Sequence, residues 1–265
     1  MNIIVTGATG AIGAAAVSRL RTLGHNVIGT SRREEHDGYR PLDISSPSSI
    51  EAFAQGLEAD GIRLDGLLNN AGTLLRHYQT NSEGFELVTA TNYLGTYRLT
   101  RRLMPLMNRG AHVVCTVSLS CHISHLDKSF FDLHSDNYSQ IGSYADSKMA
   151  VMLFAQELHR RHGDQIVVHL TDPGVVDSRI LHMNRWFDPL ADLLFRPLCK
   201  RPEQGALPAV NALLYSSEPS SSSAPTEKAP LLLFRGNRHS HLLNRWQRPE
   251  MARWLWEETE RQLKL

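Results

Sequence analysis

The 265-residue chain has no surplus of either charge: Lys and Arg number 28, Asp and Glu 27, for a formal net charge of +1. With no basic block, nothing in the electrostatics calls for a nucleic-acid partner. Cysteine is scarce. Cys115, Cys121 and Cys199 are odd in number and lack CxxC spacing, which argues against a disulfide framework or a cysteine-based zinc site. No run of about eighteen apolar residues occurs, so no membrane-spanning segment is expected. The strand-like NIIVT starts at Asn2 and leaves no room for the regions of a signal peptide, so a reduced, cytoplasmic setting is expected.

What the chain does have is alternation. Short β-rich runs (NIIVT, NVIGTS, LDGLLNN, HVVCTVS, IVVHLTD, PLLLF) are separated by longer helical patterns, including one from about Ile141 to Arg161. This is the pattern of βαβ units. The expectation is one Rossmann-type doubly wound α/β domain over residues 1–265, with a seven-stranded parallel sheet and helices on both faces. Two segments break the rhythm. SSEPSSSSAPTEKAP, at 216–230, is too poor in apolar surface to offset its ordering entropy and is expected to be a mobile loop. Residues 175–200 are unusually apolar for a connection, with Trp186, Phe187, Leu190, Leu193, Leu194 and Phe195 close together.

Three motifs carry chemistry. Gly7, Gly10 and Gly13 follow a predicted strand and run into a predicted helix, the context in which a glycine turn and a free helix N-terminus can cradle a pyrophosphate. The same residues could also be a turn that packs helix on strand. Asn69 to Gly72, in LLNNAG, ends a strand and can tie neighbouring loops or lie under a flat ligand. Tyr144 and Lys148, in YADSK, share one helix face; with only five lysines in the chain, chance gives about 0.13 such pairs.

Taken in order, TGATGAIG, LDI, NNAG, Asn92 in TNYLG, Ser118, YADSK and DPG resemble the short-chain dehydrogenase/reductases over nearly the whole chain. EGFEL, TNYLGTYRLT, the long gap from Ser118 to Tyr144, MLFAQELHRR and ARWLWE are similar to the retinol dehydrogenase-like branch. The resemblance implies that Tyr144 is the general acid and base, and that Lys148 lowers the phenol's pKa and holds the nicotinamide ribose. It also implies that Ser118 binds the reacting oxygen, with Ser120 as competitor, and that Asn92 holds a water on the proton path. The dinucleotide would meet Gly7, Thr9, Gly10, Ala11, Ile12, Gly13, Ser31, Arg32, Arg33, Asp43, Ile44, Asn70, Ala71, Gly72, Pro173, Gly174, Val176 and Ser178.

Ser31, Arg32 and Arg33 stand where an NAD-binding chain places an acid, which favours NADP over NAD. His122, His125 and His134 lack ligand spacing, and no metal is expected. The substrate implied is a lipophilic aldehyde, ketone or alcohol under residues 175–200. Association as a homodimer or homotetramer is implied through the helices after NNAG and around YADSK. Three departures stand out: Ala11 replaces the middle glycine, RREEHDGYR is too short for the usual helix and leaves the adenosine pocket open, and Asp172 replaces Asn or His. Alternatives are an extended-type sugar-nucleotide epimerase or dehydratase, suggested by the glycine spacing, and a non-catalytic dinucleotide sensor.

Overall fold

The computed structural model describes residues 1–32, 39–176, 199–216 and 228–265. Arg33, Ser178 and the apolar residues from Trp186 to Phe195 lie outside the described residues, as does most of the Ser/Pro-rich stretch. In β1 (Asn2–Val5), Ile3, Ile4 and Val5 are fully buried, so both faces of the strand are covered, as expected for parallel strands under helices. Beside it lie β2 (Asn26–Ser31), β3 (Tyr39–Pro41), β4 (Leu64–Asn69), β5 (Met107–Thr116), β6 (Val167–Thr171) and β7 (Leu232–Arg235). The order is β3-β2-β1-β4-β5-β6-β7, all parallel. The chain leaves β1 first towards β2 and later returns on its other side to β4. That reversal opens a crevice at the carboxyl ends of the strands, where ligands bind in such sheets.

One strand departs from the expected seven. β8 (Arg238–His241) pairs antiparallel with β7 at the sheet edge, and all four of its residues are exposed. An edge strand with neither face buried has no apolar alternation to reveal it.

Two apolar layers sandwich the sheet. Helices α1 (Ala11–Thr22) and α5 (Pro202–Leu213) cover Ile3, Val5, Leu68 and Val114. The opposite layer holds α2 (Pro47–Ala59), α3, α4 (Gln140–His162) and α6 (Pro249–Leu263) over Ile4, Leu67, Val113, Cys115 and Leu170. Helix α3 runs as an α-turn (Leu87–Thr89), a π-helical turn (Ala90–Leu94) and an α-helix (Gly95–Leu103). Side chains fix where helices begin. Ser46 accepts the Ser49 N–H with Pro47 in the first turn of α2, and Ser139 accepts the Gly142 N–H at the start of α4.

Helix α6 lies across α3 and α4. Trp256, 2% exposed, stacks on Phe154 at 5.8 Å and meets Tyr97 edge-on at 5.0 Å, while the guanidiniums of Arg101 and Arg161 each sit 4.9 Å from its ring. Tyr93 and Thr259 share a hydroxyl hydrogen bond of 2.5 Å, and Arg101 pairs with Glu260 at 2.8 Å. Truncating a buried aromatic of this kind typically costs about 3–5 kcal/mol. The apolar side chains on this face of α3 and α4 are thus buried by the same chain. Among the described residues no helix is long and apolar enough to cross a membrane.

His169 on β6 is wholly buried among His112, Tyr215 and Phe234, and burial pushes its pKa down to about 3. Its stabilising contribution is therefore complete above the unfolded value near 6.5 and is lost as the pH falls below it. Urea unfolding across the acid range should show stability falling by about 1.4 kcal/mol per pH unit from this group. The slope should flatten in His169→Phe, and an unchanged slope would refute the assignment.

Candidate active site

The glycine turn is built by close contact. Gly7 has a positive φ of 64°. A Cβ on Gly13 would lie 2.3 Å from the Gly7 carbonyl oxygen and 2.9 Å from the Ala8 Cα, so α1 reaches its strand only because Gly13 has no side chain. The Asn70 side chain donates to the carbonyls of Thr6 at 3.0 Å and Gly7 at 3.5 Å. The Thr6 hydroxyl receives the N–H groups of Asn70 and Ala71, both at 2.9 Å. Asn70 therefore shapes the cradle from below. Gly10 caps α1 with no side-chain hydrogen bond, and the first turn holds no acid. The amides at that end, with Thr9 and Gly10 exposed and Ala11 and Ile12 half-buried, fit the pyrophosphate of a nicotinamide dinucleotide.

On the adenosine side, Ser31 is buried at the end of β2 and Arg32 is exposed beside it. Asp43 accepts the N–H and O–H of Ser45 at 2.9 and 2.7 Å, and its own N–H donates to Ser49 at 2.9 Å, which fixes the turn into α2. Ile44 is buried against Gly95, where a Cβ would lie 2.0 Å from the Ile44 carbonyl oxygen.

Helix α4 carries Tyr144 and Lys148 on one face, with the ammonium 5.9 Å from the centre of the phenol ring. Lys148 is 4% exposed and donates to the Thr116 carbonyl at the end of β5, at 3.0 Å. Burial pulls its pKa down to about 8. Tyr144 moves opposite to the expected lowering. Burial pushes it up to about 12, the neighbouring Ser118 hydroxyl opposes the rise, and the negative charge of Asp172 adds to it. In the protein alone, desolvation of the phenolate outweighs any help from Lys148.

Ser118 is near enough to Tyr144 for its hydroxyl to hold down the phenol's pKa. It also accepts the Ser120 N–H at 3.2 Å, whereas the Ser120 hydroxyl oxygen is buried without a hydrogen-bond partner. Asn92 sits in the π-helical turn. Its Oδ1 accepts the Thr73 N–H at 2.7 Å, and its Nδ2 donates to the Thr73 carbonyl at 3.0 Å and to Ser147 at 2.9 Å. That amide clamps the loop after β4 to α4. Gly72 lies between the two groups, since a Cβ there would stand 3.3 Å from both Asn92 Oδ1 and Lys148 Nζ.

After β6, Pro173 is buried, Gly174 has a φ of 73°, and Val176 is buried and bridges to Lys200. Asp172 is a buried carboxylate whose Oδ1 accepts the Gly174 N–H at 2.9 Å and whose Oδ2 pairs with Arg235 Nε at 3.1 Å. Sequence reasoning missed Asp146, which receives the Ser124 hydroxyl at 2.7 Å and the His125 N–H at 2.8 Å and so pins the segment after Ser118 to α4. Its place inside YADSK was the available signal. It also missed Thr6, Ser147 and Arg235.

A glycine cradle at the switch point, with a tyrosine, a lysine and a serine gathered at the adjoining strand ends, defines a dinucleotide-dependent oxidoreductase. The short chain dehydrogenase family model matches residues 1–186, and the chain belongs to that family. It is 34% identical over 237 residues to mouse (Mus musculus) polyprenol dehydrogenase, covering 79% of this chain and 70% of that protein. It is 36% identical over 178 residues to bovine (Bos taurus) retinol dehydrogenase 12, covering 66% of this chain and 56% of that one. These similarities place it in the retinol dehydrogenase-like branch. A crystal structure of a protein from Mycobacterium paratuberculosis aligns with a TM-score of 0.73 and 26% identity, covering 99% of this chain and 93% of that one.

Gly13→Ala should force α1 away from β1. The expected outcome is a stability loss of about 1–3 kcal/mol, together with roughly tenfold weaker dinucleotide binding. Thermal unfolding and fluorescence titration read the two effects, and wild-type values for both would show that the close approach does not shape the cradle.

Proposed function

We propose that this chain interconverts a lipophilic alcohol and its aldehyde or ketone with NADP(H), with isoprenoid alcohols as the favoured class. The observation that carries this reading is the meeting of Tyr144, Ser118 and Lys148 beside the uncapped glycine turn. Retinol and polyprenols, named for the relatives, are both isoprenoid alcohols, and the apolar composition of residues 175–200 supports a lipophilic substrate. Arg32 at the end of β2, with no acid in its place, supports NADP over NAD.

A bound nicotinamide dinucleotide would supply the hydride for reduction and accept it for oxidation, the two electrons that the substrate carbon gains or loses. Ser118 holds the substrate oxygen against Tyr144. With its pKa near 12, Tyr144 keeps its proton at neutral pH and can give it to that oxygen, which suits the reductive direction. Lys148, near 8, keeps a cation beside the ring and offers its ammonium to the ribose hydroxyls. A cytoplasmic setting is consistent with the composition. With α6 covering α3 and α4, homodimer or homotetramer contacts would fall on other surfaces.

Tyr144→Phe should leave NADPH binding nearly unchanged while lowering kcat by roughly 10²- to 10⁴-fold, measured with NADPH and long apolar aldehydes. Normal turnover in that variant would end the proposed mechanism. In a separate titration, NADPH should bind more tightly than NADH, and Arg32→Ala should narrow the gap. Equal affinities in the wild type would defeat the preference for NADP and show that the arginines point elsewhere.

A further inference from the structure

Ser118 begins a segment that has little packing of its own. From Leu119 to His125 only Cys121 is buried, while Leu119, His122, Ile123 and His125 are exposed. Its first turn is nonetheless closed on Ser118: the hydroxyl accepts the Ser120 N–H at 3.2 Å, and the carbonyl accepts the Cys121 N–H at 3.1 Å. The hydroxyl therefore goes where the turn goes, and a surface turn with one buried side chain has to be held by other contacts. They come from two sides. From α4, one oxygen of Asp146, Oδ1, accepts both the Ser124 hydroxyl at 2.7 Å and the His125 N–H at 2.8 Å, and the Leu126 N–H closes on Ser124 Oγ at 3.2 Å. From the turn before α6, Arg248 donates to the Leu126 carbonyl at 3.0 Å and Arg245 to His122 Nδ1 at 2.8 Å, with Trp246 meeting His122 edge-on at 4.8 Å. Gln156 completes the frame. Its side chain donates to the Trp246 carbonyl at 3.0 Å and accepts the Arg248 N–H at 3.4 Å, so the second support also rests on α4.

We infer that Asp146 is a positioning residue, aided by Arg248, that fixes the Ser118 hydroxyl relative to Tyr144 by holding the Ser124–Leu126 end of this segment on α4. The inference rests on the reading of Ser118 and Tyr144 as the groups that meet the substrate oxygen. Tyr144 and Asp146 belong to one helix, so whatever Asp146 holds is referred to the same rigid element as the phenol. A carboxylate suits the task, because hydrogen bonds to a charged acceptor are roughly twice as strong as neutral ones. Both bonds end on Oδ1, so the carbonyl of an asparagine can take them over, whereas alanine leaves Ser124 and His125 without that partner. Arg248 holds the segment from the side away from Asp146's helix position, and it lies beyond residues 1–186, which match the family model.

The test is a double-mutant cycle, read as the single-turnover rate of NADPH oxidation by a long apolar aldehyde. Asp146→Ala should slow that step by roughly 10- to 100-fold, the scale of an ångström-sized misplacement, with the Kd for NADPH unchanged. Asp146→Asn keeps the acceptor and should restore most of the rate. In a Ser118→Ala background no hydroxyl is left to place, and there Asp146→Ala should cost less than about twofold further. A merely structural role lowers the rate and the thermal midpoint alike in either background, so equal losses with and without the Ser118 hydroxyl would overturn the inference. No loss in Asp146→Ala, or an asparagine variant as slow as the alanine one, would overturn it as well. If Asp146→Ala does not fold, Arg248→Met decides by the same cycle: a loss that appears only while Ser118 is present supports the inference, and no loss or equal losses defeat it. A normal rate in Ser118→Ala or Tyr144→Phe would instead defeat the functional reading, and the role of Asp146 with it.

Discussion

The ammonium of Lys148 is almost wholly withdrawn from water, and the surrounding structure is arranged around that cost. An isolated cation in such a place would lose several kcal/mol of hydration. Its pKa falls as a result, and the Thr116 carbonyl offsets part of the penalty. That carbonyl is available because β5 ends there. The loop after β4 can pass over the ammonium because residue 72 has no side chain, and it stays in place because Asn92 holds Thr73 by both its N–H and its carbonyl. The π-helical turn at Ala90–Leu94 carries that amide to the loop, while Ser147 ties it back to the helix that bears the lysine. Strand end, loop, irregular helix and the helix that bears Tyr144 and Lys148 are thus bound together around a single charge.

Much of this site was legible in the sequence because its chemistry is local. Gly7, Gly10 and Gly13 lie in one turn, and Tyr144 and Lys148 on one helix face, so spacing alone places them together. What spacing could not give is the balance between burial and charge. Tyr144 is close to Lys148, as the four-residue interval requires, yet the dry surroundings dominate its ionisation. The partner of Asp172 was equally hidden. Arg235 is 63 residues away and meets it only because β6 and β7 are neighbours in the sheet. Asn92 and Asn70 stand beside the glycine turn and Lys148, and in the structure their side chains serve the backbone there.

For the fold, the alternation of apolar runs and amphipathic helices marked the α/β class and the strands β1, β2, β4, β5, β6 and β7, because each of those must be buried, whereas the short β3, with no residue buried, was not among them. β8 has no such requirement. Its four exposed residues follow a two-residue turn at Gly236 and Asn237, with Gly236 at a φ of 56°. That turn is the one local sign of a hairpin, and RGNR shows it to a reader who looks for turn chemistry first.

The position of α6 has a consequence for the order of synthesis. Tyr93 and Thr259 are 166 residues apart, and Trp256 packs on Tyr97 and Phe154, both made long before it. During translation the layer holding α3 and α4 therefore stays open until the C-terminal stretch has left the ribosome. A nascent chain that already contains every residue of the candidate site still exposes an aromatic face that a chaperone can recognise. Completion of that layer therefore waits on the helix at Pro249–Leu263, and a chain cut before it would carry the residues of the candidate site on an unfinished scaffold.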